Sequence, residues 1–80
     1  MTRRILVADD EEDLRFMLEL HLSREGYDVV CVADGQAALD ALSKESFDFA
    51  LCDLVMPKLS GLDVISALEK TSVTTPIVLM

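Results

Sequence analysis

The sequence has few cysteines and no long apolar run. Its 2 cysteines among 80 residues have neither the number nor the spacing of a disulfide framework or a metal-binding motif. Cys31 and Cys52 each lie in an apolar, strand-like run, where we expect a buried free thiol.

The longest apolar stretches have four or five residues, whereas a membrane-spanning helix needs about 20. The basic N-terminus leads into a short strand-like run and not into a signal peptide, so we expect a soluble, cytoplasmic chain with no membrane contact.

Basic residues are also scarce. The chain has 7 Lys and Arg against 15 Asp and Glu, which gives a formal net charge of −8. Proteins that bind nucleic acid need Lys and Arg to neutralise phosphates, so this balance argues against direct binding of nucleic acid. It favours partners with basic surfaces, or a divalent cation. The chain also lacks a glycine-rich phosphate loop, which argues against nucleotide binding.

Repeats, low-complexity tracts and linkers are absent as well, so we expect residues 1–80 to form one domain. Strand-like and helix-like segments alternate along it. The first helix-like segment has apolar residues at helical spacing, with Phe16 and Leu20 widening the stripe: Leu14, Met17, Leu18 and Leu22. The predicted strands are residues 5–9, 28–33, 47–53 and 76–80, and the predicted helices are residues 10–25, 36–44 and a segment that begins after residue 61. This alternation predicts an α/β fold in which helices cover both faces of a parallel sheet.

Aspartates follow two of these strands. Asp9 and Asp10 close the first strand and Asp53 closes the third. In a parallel sheet the two strands would be neighbours about 4.8 Å apart, so three carboxylates would converge where α/β sheets bind ligands. Such crowding is unfavourable unless a cation neutralises it or a pKa rises. Oxygen ligands in a small cluster suit Mg²⁺ or Mn²⁺.

Helix capping is the alternative interpretation of the acidic run from Asp9 to Asp13. Acids at the start of a helix complement its dipole and its free N–H groups. We assign Glu11, Glu12 and Asp13 mainly to capping and the aspartate pair mainly to the metal. His21 lies in the middle of the same helix with no base motif beside it, so we interpret it as a solvated helix residue.

The acidic pair and a second motif together resemble a known family. The second motif is the run DLVMPKLSG, which begins at Asp53 directly after a strand. With the interval between them, the two motifs resemble the receiver domains of two-component response regulators, and the resemblance covers the whole chain. It implies a flavodoxin-like, doubly wound parallel sheet with strand order 2-1-3-4 and the topology βαβαβαβ.

Residue by residue, the resemblance makes Asp53 the phosphoacceptor. Asp10 and Asp53 would bind Mg²⁺ (or Mn²⁺) through their side chains, the main-chain carbonyl of Val55 would be a third ligand, and Asp9 would act through a water. The donor would be a histidine kinase, a phosphotransfer protein or a small phosphodonor. The chain would be a phosphoacceptor that assists its own reaction, not a conventional enzyme. Pro57 and Gly61 would shape the loop that presents the acceptor.

The resemblance also implies features that these residues do not contain. A receiver continues with a Ser or Thr after the fourth strand, a fifth strand that ends in Lys, and two further helices. Lys58 and Lys70 lie elsewhere and are not substitutes. We therefore expect an incomplete receiver domain that keeps metal binding, is phosphorylated weakly and switches poorly. We also expect self-association through the exposed fourth strand and the uncovered face of the sheet.

Two other functions compete with this one. Hydrolases with an aspartyl nucleophile usually have a second acid two residues later, where this chain has Val55. The other alternative is an oligomerising interaction module of the same fold that is not phosphorylated.

Overall fold

Four strands and three helices alternate along residues 2–80, the part of the chain that the computed structural model describes. The strands are β1 (Arg4–Ala8), β2 (Asp28–Val32), β3 (Phe49–Cys52) and β4 (Ile77–Leu79), and the helices are α1 (Glu12–Arg24), α2 (Gly35–Lys44) and α3 (Gly61–Leu68). Each element lies within the region that the sequence predicts, apart from small differences at the ends.

All strand pairs are parallel, and the order across the sheet is β2-β1-β3-β4. Both the predicted α/β class and the strand order 2-1-3-4 are confirmed. In the register, Ile5 pairs with Val29 of β2 on one side and with Phe49 of β3 on the other. The central position of β1 explains its continuous run of apolar residues, since a strand covered on both faces has no polar side.

The core lies mainly between the sheet and the pair α2 and α3. Successive side chains of β1 and β3 point to opposite faces of the sheet. Those on the face toward α2 and α3 pack against the buried sides of these two helices. The buried members of this cluster are Leu6, Ala8, Ala38, Leu42, Phe47, Ala50, Cys52, Met56, Val64 and Leu68. This layer holds the carboxyl ends of β1 and β3 in place.

Helix α1 covers the opposite face, and it does so incompletely. Its contacts are mainly with β1 and β2, and none of its residues is buried. Met17, which the periodicity places on the apolar stripe, is 65% exposed, so that part of the prediction is wrong. The stripe is wider than the part of the sheet that α1 contacts, and the residues at its margin therefore face solvent.

The starts of the helices have identifiable causes. Helix α1 begins at Glu12 and not at Asp10, because the Asp9 carboxylate accepts a hydrogen bond from the backbone N–H of Glu11 at 2.9 Å and forms a turn first. Helix α3 begins with a capping box in which Ser60 and Asp63 each accept the other's backbone N–H at 3.1 Å.

Truncating a core leucine tests this packing. Leu42 is 2% exposed, whereas Leu62 on α3 is 60% exposed. We expect Leu42→Ala to lower the free energy of unfolding by about 2–4 kcal/mol, and the matched control Leu62→Ala to lower it by about 0.5 kcal/mol or less. Urea denaturation followed by circular dichroism measures both. Equal losses in the two variants would contradict the assignment of the core to the α2 and α3 side.

Candidate functional site

Asp9 is a buried carboxylate at the carboxyl end of β1. It is 1% exposed, and its backbone N–H donates to the Val32 carbonyl at 3.2 Å, which continues the pairing with β2. One side-chain oxygen, Oδ1, accepts the Glu11 N–H at 2.9 Å. The other, Oδ2, is buried and has no hydrogen-bond partner among residues 2–80. A buried carboxylate oxygen without a partner is costly, and a bound cation would offset that cost.

Asp10 and Asp53 lie beside it. Asp10 is exposed and Asp53 is half-buried, and the Asp53 N–H donates to the Ala8 carbonyl at 2.9 Å across the β1–β3 pair. One carboxylate oxygen from each of Asp9, Asp10 and Asp53 lies within 4.8 Å of the others. The convergence expected from the sequence is therefore present in the structure.

The three carboxylates fit a small divalent cation. Hard oxygen ligands are those that Mg²⁺ and Mn²⁺ prefer. A bound cation would also offset the mutual repulsion of the three charges and give the unpartnered Asp9 Oδ2 an interaction. Asp9, Asp10 and Asp53 are thus the residues of the described chain that could hold such an ion.

The loop after Asp53 turns back toward the Asp53 carboxylate. The Val55 N–H donates weakly to Asp53 Oδ1 at 3.4 Å, and the Val55 side chain is 78% exposed. Met56 is buried in the core cluster and anchors the middle of the loop. The Leu54 carbonyl accepts the Gly61 N–H at 3.0 Å, so the two ends of the loop are tied together.

Pro57 and Gly61, the residues predicted to shape this loop, have specific contacts. The Pro57 carbonyl accepts N–H groups from Leu59 at 2.8 Å and from Gly35 at 3.3 Å. A Cβ at position 61 would lie 2.6 Å from the Asp53 carbonyl oxygen and 2.8 Å from a methyl carbon of Leu79. The requirement for glycine at position 61 therefore comes from this close packing beside Asp53.

Two charged contacts were not predicted from the sequence. Arg15 on α1 donates from Nη1 to the Asp9 carbonyl at 2.8 Å, which places a cation beside the acidic cluster. Lys58 lies 3.6 Å from Asp34, measured from Nζ to Oδ2. The N–H of Ala37 lowers the pKa of the Asp34 carboxyl, and the charge of Lys58 lowers it further. A basic residue one turn into the first helix is a sequence signal that could have suggested Arg15.

The cysteines differ in their surroundings. Cys52, directly before Asp53, is a buried free thiol as predicted, and burial raises its pKa to about 11. Cys31 is free but only half-buried, and burial is the main reason that its pKa is raised. Neither thiol is a reactive thiolate near neutral pH.

The fold and the acidic cluster together define a class of protein: a doubly wound α/β domain with its site at the carboxyl ends of adjacent parallel strands. A model of the response regulator receiver domain family matches residues 5–80. The chain therefore belongs to the receiver domain family of two-component response regulators, whose members are phosphoacceptors and not conventional enzymes, and which interact with histidine kinases.

Individual relatives agree with this family. The alkaline phosphatase synthesis transcriptional regulatory protein PhoP of Bacillus subtilis is 38% identical over 80 residues, which are 100% of this chain and 33% of that protein. The structure of the response regulator TrrA of Thermotoga maritima, in complex with Mg²⁺ and BeF, has a TM-score of 0.90 and 35% identity, covering 98% of this chain and 68% of that one. The chain spans about a third of the length of the curated relatives it matches.

A second solved structure also contains a metal. The receiver domain of the sensor histidine kinase PA1611 of Pseudomonas aeruginosa, with a magnesium ion coordinated in its active-site cleft, has a TM-score of 0.93 and 26% identity. It covers 99% of this chain, which spans 66% of that one. Relatives of this chain thus bind Mg²⁺. Separately, no helix within residues 2–80 is both long and apolar enough to cross a membrane.

Removing the charge of Asp9 tests the conflict between folding and metal binding. We expect Asp9→Asn to raise the free energy of unfolding in EDTA by about 1 kcal/mol, because an unpartnered buried charge is removed. It should also lose most of the stabilisation that Mg²⁺ gives the parent chain. Thermal denaturation in EDTA and in Mg²⁺ measures both effects.

Asp13→Asn is the matched control, since Asp13 is an exposed acid in the first turn of α1. It should leave the Mg²⁺ effect unchanged and should not stabilise the metal-free chain. An equal Mg²⁺ effect in Asp9→Asn and in the parent would contradict the assigned role of Asp9.

Proposed function

We propose that this chain accepts a phosphoryl group on Asp53 from a histidine kinase or a phosphotransfer protein, with Mg²⁺ (or Mn²⁺) as cofactor. Asp10 and Asp53 would hold the ion through their side chains, the Val55 carbonyl would be a third ligand, and Asp9 would act through a water. The observation that carries this proposal is the cluster of three carboxylates within 4.8 Å, one of them with a buried oxygen that has no hydrogen-bond partner among residues 2–80.

The chemistry of Asp53 follows from its position. An Asp53 oxygen forms a bond to phosphorus while the bond from phosphorus to the donor breaks, and the donor group leaves with that electron pair. With phosphohistidine the leaving atom is an imidazole nitrogen, and with acetyl phosphate it is a carboxylate oxygen. Asp53 directly follows β3 and is only half-buried, so its carboxylate can be reached by a donor.

Charge is the main obstacle to this reaction. The nucleophile is an anion, the phosphoryl oxygens are anionic, and Asp9 and Asp10 add two more negative charges. The bound ion supplies charge neutralisation and alignment for an in-line transfer. Among the chain's own groups, the guanidinium of Arg15 is close to the cluster because it donates to the Asp9 carbonyl, which also fixes the turn that carries both aspartates.

The backbone N–H of Val55 donates to the Asp53 carboxylate, and the Val55 side chain is largely exposed. An isopropyl group cannot orient a water molecule by hydrogen bonding. We propose that its influence on the lifetime of the phosphoryl group is steric.

Intact mass tests the acceptor. After incubation with Mg²⁺ and acetyl phosphate, we expect a single phosphoryl adduct on the parent chain and none on Asp53→Asn. Asp40→Asn is a suitable control, because it removes an exposed aspartate of α2, away from the cluster. An adduct that persists in Asp53→Asn would place the acceptor elsewhere, and EDTA should suppress the reaction if the metal is required.

A second candidate function is a self-associating interaction module, favoured by the α1 side of the sheet. Strand β4 is an edge of the described sheet, and Val78, which pairs with Leu51 in the register, is exposed. Because α1 contacts mainly β1 and β2, the half of this face formed by β3 and β4 is poorly covered. We propose that two copies associate through this edge and face.

Light scattering tests this association. We expect the average mass to exceed that of an 8.8 kDa monomer and to rise with concentration. Val78→Lys should return the mass to that of the monomer, because it places a charge on the edge strand. Leu62 is an exposed leucine on the opposite side of the sheet. The control variant Leu62→Lys should therefore leave the average mass unchanged. A parent chain that stays monomeric at millimolar concentration would contradict the proposal.

A further inference from the structure

The loop that follows Asp53 rests on the beginning of helix α2. The backbone N–H of Gly35, the first residue of α2, donates to the Pro57 carbonyl at 3.3 Å. The next residue of the loop, Lys58, reaches back to Asp34, with its Nζ 3.6 Å from Oδ2. Two adjacent residues of the loop therefore contact two adjacent residues at the start of the helix.

The approach between the two segments is close. A Cβ on Gly35 would lie 2.6 Å from both the carbonyl carbon and the Cβ of Leu59. Only glycine leaves room for the loop here, because the atoms that a side chain would meet include backbone, which cannot move aside. Leu59 in turn packs against the core cluster. The contact between the loop and the start of α2 therefore lies at the edge of the core, where both segments are closely packed.

Asp34 uses both carboxylate oxygens. Its Oδ1 accepts the Ala37 N–H at 2.8 Å and caps α2, and its Oδ2 faces the Lys58 ammonium. The same carboxylate therefore begins the helix and holds the loop. Its side chain is 21% exposed, while that of Lys58 is 67% exposed, so the pair lies at the surface and salt can screen it.

The backbone of Lys58 is also unusual. Its φ is +71°, and it is the one non-glycine residue within residues 2–80 with a positive φ. This left-handed conformation is costly for a residue with a Cβ. Glycine at position 58 would relieve the strain but would provide no cation. The strained conformation of Lys58 is thus found together with an ion pair to Asp34 that only a basic side chain can make.

We propose that Lys58 is a positioning residue, which holds the loop carrying Asp53 and Val55 against the start of α2 through its ion pair with Asp34. Its importance for phosphoryl transfer rests on the function proposed above. At the other end, the Gly61 N–H to Leu54 carbonyl bond closes the loop. The Lys58 pair and the Gly35–Pro57 bond hold the outer turn, so the segment between Asp53 and Gly61 is restrained both where its ends meet and at its outer turn.

Amide hydrogen exchange in the metal-free chain tests the contact directly. Lys58→Met removes the cation and keeps the side-chain length, and Asp34→Asn removes the anion and keeps a good helix cap. We expect each to speed exchange of the Gly35 and Leu59 amides by about two- to fivefold, the range for an exposed ion pair. The double variant should add nothing to either single change. Lys58→Arg should restore slow exchange, and high salt should abolish the difference between Lys58→Met and the parent.

Three results would overturn the proposal: unchanged exchange at Gly35 and Leu59, an equal rise at amides throughout the sheet, or additive effects in the double variant. The adduct assay on the same proteins separates this proposal from the previous one. A parent chain that forms no adduct contradicts the proposed function, while the exchange pattern still decides the contact. If the parent reacts, Lys58→Met should react more slowly by a similar factor, and an unchanged rate would overturn the role of Lys58 in the transfer.

Discussion

The parallel pairing of β1 with β3 brings Asp9 and Asp53 to the same edge of the sheet. Ala8 pairs with Cys52, and one residue further the Asp53 N–H donates to the Ala8 carbonyl, so the two strands end side by side. A shift of the register by one residue would reverse which face each following side chain takes. β1 is buried on both faces, and β3 buries Ala50 and Cys52 on the α2 and α3 side, so the apolar packing that favours this register also forces the carboxylates together. The acidic site is thus a direct consequence of how the core packs.

Crowded negative charge opposes folding, and the structure limits its effect locally. The Asp9 carboxylate accepts one backbone N–H, and its carbonyl accepts a hydrogen bond from Arg15, but its second oxygen stays buried without a partner in the described chain. Functional sites often retain such a cost when a ligand later removes it. The arrangement fits the family to which the chain belongs and the magnesium ions in solved relatives.

The two faces of the sheet are covered unequally. On one face α2 and α3 pack closely on each other and on the strands. The start of α2 contacts the loop after Asp53 through the Gly35–Pro57 hydrogen bond and the ion pair between Asp34 and Lys58. On the other face α1 contacts mainly β1 and β2, and apolar side chains of α1 and β4 remain exposed. The well-packed face supports the loop after Asp53, while the open face leaves apolar side chains exposed. The same small domain therefore carries both proposed functions on different parts of its surface.

The alternation of strands and helices could be predicted from the sequence, as could the parallel sheet with its strand order and the meeting of Asp9, Asp10 and Asp53. The alternation and the meeting of the aspartates follow from local periodicity and from aspartates that stand directly after strands. The strand order was implied by the family resemblance, which a motif of residues adjacent in the chain carries. Three features became visible only once the chain was folded: which apolar residues of α1 are exposed, the Asp9 oxygen without a partner in the described residues, and the pairing of Lys58 with Asp34. Each of these depends on contacts between segments far apart in the sequence, and periodicity along one segment carries no information about which distant side chain will lie beside it.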